Sequence, residues 1–121
     1  MSDVKGRFRR TLSRWASSDD IEAEELRSDT ARAGCGMIAD AVDRDHVDLQ
    51  GSLRTVTLRP RGGVPALEAE LYDGSGVITI IWLGRRRIAG IEPGRSIKIS
   101  GRIGVQEGTR VMYNPRYELR C

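Results

Sequence analysis

A chain of 121 residues with 39% hydrophobic and 31% charged side chains fits one compact domain plus an extension, with enough apolar surface to fold without metal or disulfide support. It has no run of the roughly 18 apolar residues that a membrane span needs, and its start lacks the apolar stretch of a signal peptide, so cytoplasmic residence is the default expectation. The net charge of +3 is uneven: residues 1–40 carry −1 and residues 41–121 carry +4.

Of the 20 cations, all but Lys5 and Lys98 are arginines. Arginine binds phosphate bidentately and stacks on bases, which suits nucleic acid. A genome rich in G and C produces the same bias, so the bias points two ways. Cys35, Cys121 and His46 are too few and too scattered for a zinc site, and both thiols are expected to be reduced.

Along residues 4–16, Val4, Phe8, Leu12 and Trp15 recur at spacings of four, four and three, the pattern of one helical face. Lys5, Arg7, Arg9, Arg10 and Arg14 fill much of the remainder. Such a helix packs on its own domain, contacts nucleic acid or a partner, or meets an anionic membrane surface. Ser17 to Asp20 supply N-cap residues, and Asp19 with Glu22 resembles a capping box. A second, acidic helix is expected over about 20–33. Gly34 and Gly36 end it, and Met37–Val42 reads as a short helical turn. His46 has no catalytic neighbours in sequence and reads as a surface or structural residue.

From Val47 the period changes to two. Strand 1 is expected over about 47–59. Val47, Leu49, Gly51 and Leu53 share one parity while Val56 and Leu58 take the other, which requires an extra residue near Arg54–Thr55. Residues 59–63 form a loop. Strand 2 (about 64–73) alternates, with Leu67, Ala69 and Leu71 inward and Glu68, Glu70 and Tyr72 outward. Asp73-Gly74-Ser75-Gly76 is a tight hairpin signal. Strand 3, Val77–Leu83, is apolar on both parities, so its outer face is expected to be covered by the first helix, a partner or a ligand. Residues 84–94 lead to strand 4 (about 95–103), Gly104–Gly108 form a hairpin loop, and strand 5 starts at Thr109, broken by Asn114-Pro115. The expected fold is mainly β, a five-stranded barrel over 47–121 with a helical N-terminal extension over 1–46.

The run Leu71-Tyr72-Asp73-Gly74-Ser75-Gly76-Val77-Ile78-Thr79-Ile80 resembles the strand 2–turn–strand 3 signature of anticodon-binding-type OB domains. Ile91-Glu92-Pro93-Gly94 followed by Ile97–Ile103 resembles their strand 4. Asn114-Pro115-Arg116-Tyr117-Glu118 resembles the end of the wedge domain of RecG-type helicases. The order matches over about residues 47–120, and small stand-alone actinobacterial OB-fold proteins resemble the chain most. The resemblance implies an OB-type Greek-key barrel and oligonucleotide binding, single-stranded DNA or RNA with little sequence specificity. It does not carry over helicase activity, because the chain has no phosphate-binding Gly-x-x-x-x-Gly-Lys-Ser/Thr loop.

OB barrels bind oligonucleotides across strands 2–3, between the loops joining strands 1–2 and 4–5. That projects onto Arg59 and Arg61 in one loop, Arg102 and Arg110 flanking the other, and Tyr72, Trp82 or Tyr113 as stacking platforms. Trp82 and Tyr113 read equally as core. Glu68 and Glu70 share the outward face of Tyr72 and oppose phosphate. Arg85, Arg86 and Arg87 form the densest basic cluster, read as a solvated surface or as phosphate contacts together with Arg59, Arg61, Arg95 and Arg116. No metalloprotease, serine-hydrolase or Cys–His pattern occurs, so neither an enzyme nor a cofactor is expected. The rival reading is a protein-interaction module, dimeric or partner-binding, using strand 3 or the first helix.

Overall fold

The computed structural model describes residues 18–32 and 34–120. The basic amphipathic helix expected over 4–16 lies outside them. A helix, α1, spans residues 18–32. Its inner face is Ala23, Leu26 and Thr30, and the acidic residues between them are exposed. The Thr30 hydroxyl is buried, 2.8 Å from the Leu26 carbonyl and 3.1 Å from the Gln50 carbonyl. Gly34 ends the helix with φ +73. Its N–H reaches the Ala31 carbonyl, and the Cys35 N–H reaches that of Thr30, the two bonds of a Schellman motif. The helical turn expected near 37–42 is a 3-10 turn, Ile38–Asp40.

Seven strands follow: β1 (His46–Leu58), β2 (Ala66–Tyr72), β3 (Val77–Leu83), β4 (Ser96–Arg102), β5 (Gly104–Gln106), β6 (Thr109–Tyr113) and β7 (Arg116–Arg120). They form one sheet in the order β5-β6-β3-β2-β1-β4-β7. Strand β1 is long enough to pair with β4 through His46–Ser52 and with β2 through Ser52–Leu58. The register slips between Leu53 and Thr55, where the parity switch in the sequence requires a bulge. Gly51 sits at the bend, packed so tightly on the Tyr72 carbonyl that no side chain fits.

Five strands were expected and seven are present. The stretch read as a loop at 104–108 contains β5, and the hairpin turn shrinks to Glu107 and Gly108, both at positive φ. Strand 5 divides in two because Pro115 has no N–H for a ladder and Asn114 turns the chain at φ 47. Strand β6 then pairs parallel to β3, and β7 pairs antiparallel to β4. The ladder does not close. Strands β4 and β6 touch instead through Gly101 and Met112, where a side chain on residue 101 would meet the Met112 sulfur.

The inward residues of β1–β4 and β6 form one core, with Leu49, Leu53, Leu71, Ile78, Ile80, Ile97, Ile99 and Met112 all essentially inaccessible. Ile38 plugs the end nearest the β2–β3 hairpin, and Ile88 and Ile91, from the segment after β3, join the same core. Burying each of these side chains contributes about 1.5–3 kcal/mol. The plug is tied by Asp73, whose buried carboxylate accepts from the N–H groups of Ile38 (2.7 Å), Ser75 (2.9 Å) and Gly76 (3.1 Å) and from the Ser75 hydroxyl (2.6 Å).

No helix among the described residues is long and apolar enough to cross a membrane. Nor do the described residues contain a group of three potential metal-ligating side chains.

Candidate nucleic-acid interface

Alternation along β2 and β3 sends Glu68, Glu70 and Tyr72 outward beside Val77, Thr79, Ile81 and Leu83, and the parallel pairing of β3 with β6 adds Val111 and Tyr113 to that face. Between this face, the β1–β2 loop and the β5–β6 turn lies an open cleft of about 680 Å³. Arg59, Arg61, Glu68, Glu70, Thr79, Gln106, Glu107, Thr109 and Val111 line it. Of the residues projected from the sequence, Arg59 and Arg61 line it.

Its electrostatics differ from the projection. Three carboxylates face two guanidiniums, and one of those, Arg61, is held by Glu68 at 3.3 Å. Arg110 was expected to flank this groove. Its guanidinium turns to the 3-10 turn instead, donating to the carbonyls of Ala39 (3.0 Å) and Ala41 (3.2 Å). Those bonds fasten the linker between α1 and β1 onto β6. Arg102 is exposed at the end of β4, in register with His46, beside the acidic linker rather than in the cleft.

Among the aromatics, Trp82 is 4% exposed and belongs to the core, meeting Tyr117 edge-on at 5.7 Å. The inward parity of β3 decides this, so Trp82 offers no ring face to a base. Tyr113 is on the outer face, and its hydroxyl bonds Gln106 at 3.1 Å. Tyr72 is half-buried, with the Arg54 guanidinium 3.7 Å over its ring centroid. Such a cation–π contact at an exposed site contributes about 0.5–1 kcal/mol. Arg54 was not singled out from the sequence. The signal was available, because a bulge re-aims the side chain it displaces and the parity switch located the bulge. Glu107 was missed for want of a signal, since it reaches the cleft only through the β5–β6 turn.

Arg85, Arg86 and Arg87 follow β3 and are all exposed. Two bonds gather other segments around them. The Leu83 N–H reaches the Asn114 side chain at 2.9 Å, and the Gly84 N–H reaches the Pro65 carbonyl at 2.7 Å. Arg116, two residues beyond Asn114, is also exposed and borders the β4–β7 surface with Lys98, Ser100, Tyr117 and Glu118. Among the described residues, none of these four guanidiniums has an ion pair or a side-chain hydrogen bond.

No family model and no curated protein sequence matches the chain. A solved structure of RecG bound to a three-way DNA junction does match in fold, with a TM-score of 0.61 and 17% identity over 70% of this chain. The match spans 12% of the RecG chain, and at that identity it is a likeness of fold alone.

Proposed function

We propose that this chain is a nucleic-acid-binding module that holds the phosphate backbone through Arg85, Arg86, Arg87 and Arg116. The carrying observation is that Arg85, Arg86 and Arg87 are consecutive and exposed, and that neither they nor Arg116 has an ion pair among the described residues. The likeness to RecG supports the reading, since RecG in that structure is bound to a three-way DNA junction. The ligand we favour is a single strand of DNA or RNA. Backbone contacts position a strand without reading bases, so sequence preference is low. The Tyr72–Arg54 pair supplies one stacking surface, because both an aromatic ring and a guanidinium plane stack on bases. An OB-type arrangement, with β4 and β5 acting as one bent strand across Ile103, belongs to the same proposal. So does the absence of catalysis: the chain binds and does not react.

The test is anisotropy of a labelled 20-mer single strand, its duplex and a three-way junction against the full chain. Four phosphate contacts on a single strand give a slope of log affinity against log salt of about −3, a loss of about 50-fold between 50 and 200 mM salt. Changing Arg85, Arg86 and Arg87 together to Ala flattens the slope by about 2. Undiminished affinity in that variant removes these three arginines from the site. No binding of any of the three ligands at low salt defeats the reading.

A further inference from the structure

On the outer face of β2 and β3, Val77 is 38% and Leu83 40% exposed, and α1 does not cover them. Helix α1 lies on the other arm of the sheet, where Asp29 and Arg32 meet Gln50, Ser96 and Glu118. Three carboxylates, Glu68, Glu70 and Glu107, border this face, whose two ends are exposed while Ile81 between them is fully buried. Only Glu68 has a cationic partner among the described residues. Apolar side chains beside carboxylates repel a polyanion and suit a basic amphipathic segment.

The chain itself carries such a segment, residues 4–16, with four apolar side chains on one helical face and five cations around them. The described chain also begins at the right place. Arg27 of α1 donates to the Gly74 carbonyl at 2.8 Å, and the Ala23 carbonyl lies against Gly74. Residue 18 is about 7.5 Å of helix before Ala23. The described residues of α1 therefore begin within two helical turns of the β2–β3 hairpin, which flanks Tyr72 and Val77 at one end of the face. Strand β3 rises about 20 Å from Val77 to Leu83, and thirteen residues of helix are about 20 Å long.

We propose that residues 4–16 dock along the outer face of β2 and β3, apolar side on Val77 and Leu83, cations against Glu68, Glu70 and Glu107. The occupant is the chain's own N-terminal segment. It leaves Arg85, Arg86 and Arg87 open, and a base stacked on Tyr72 has to displace the docked segment at that end of the face.

Carbodiimide cross-linking of the full chain, without nucleic acid, tests this. Lys5 and Lys98 are the only lysines, so the Lys5 products are unambiguous by mass. The expected product joins Lys5 to Glu68, Glu70 or Glu107 within one chain. Lys5 joined only to the acids of α1 overturns the proposal. So does a product linking light and isotope-heavy chains in a mixture, which assigns the face to a second copy. Amide spectra of the full chain with Phe8→Ala and Trp15→Ala provide an independent reading. Shifts are expected to concentrate on residues 77–83. Shifts confined to β4 and β7, or none, overturn the docking whether or not a Lys5 cross-link is recovered.

Discussion

Replacing Asp73 with Ala removes the acceptor that joins the β2–β3 hairpin to the plug over the core. The carboxylate takes four hydrogen bonds, three from backbone N–H groups and one from the Ser75 hydroxyl. The Ile38 N–H is buried and has no route to water, so its loss costs about 1–3 kcal/mol. The Ser75 and Gly76 donors are only partly buried and regain water, so each costs about 0.5–1.5 kcal/mol. The Ser75 hydroxyl rotates to solvent but still has to hold the Ala39 N–H, which it accepts at 3.1 Å. The total is about 2–6 kcal/mol, and at this chain length about 4 °C in Tm accompanies each kcal/mol, so a fall of about 8–24 °C is expected. Urea unfolding followed by circular dichroism measures it directly, with an unchanged m-value showing that the same two states are compared. Ser75→Ala, which removes one donor, is the graded control at about 1 kcal/mol. An Asp73→Ala chain within about 1 kcal/mol of the parent would show that the hairpin and the plug do not depend on this carboxylate.

Two further outcomes follow from the geometry. Gly51→Ala drives a methyl group into the backbone carbonyl of Tyr72, where no side chain can yield, so β1 must part from β2 at the bend. A loss of at least about 2 kcal/mol in urea unfolding is expected, and a neutral result contradicts the close approach. Burial raises the pKa of the Cys35 thiol, an effect that nearby Lys98 only partly opposes. With Cys121 replaced by Ser, alkylation of Cys35 by iodoacetamide should be slower in the folded chain than in urea, and equal rates refute the shift. The sign also sets a pH trend. The unfolded thiol ionises first, so this contribution to stability is complete below the unfolded pKa and fades as pH rises through it towards the folded one.

What the sequence by itself determined is the local part. The switch of parity between Leu53 and Val56 located the bulge, Asp73 to Gly76 located the hairpin, and the apolar run of β3 separated Ile78, Ile80 and Trp82 from Val77 and Ile81. A period of two and a turn signal depend only on near neighbours, so they are legible in one dimension. Tertiary structure alone decided how those faces are charged and closed. The resumed alternation at Tyr117 and Leu119 looks the same whether the strand continues β6 or crosses to β4, and only the Asn114–Pro115 turn in three dimensions sends it to β4. Arg61 and Arg110 look alike in sequence, yet one meets Glu68 across the cleft and the other meets carbonyls about 70 residues away. An arginine side chain is long, and its partner depends on which segments the ladder brings alongside it. For that reason the acidic border of the cleft and the separate surroundings of Arg61 and Arg110 emerged only when the strands were paired.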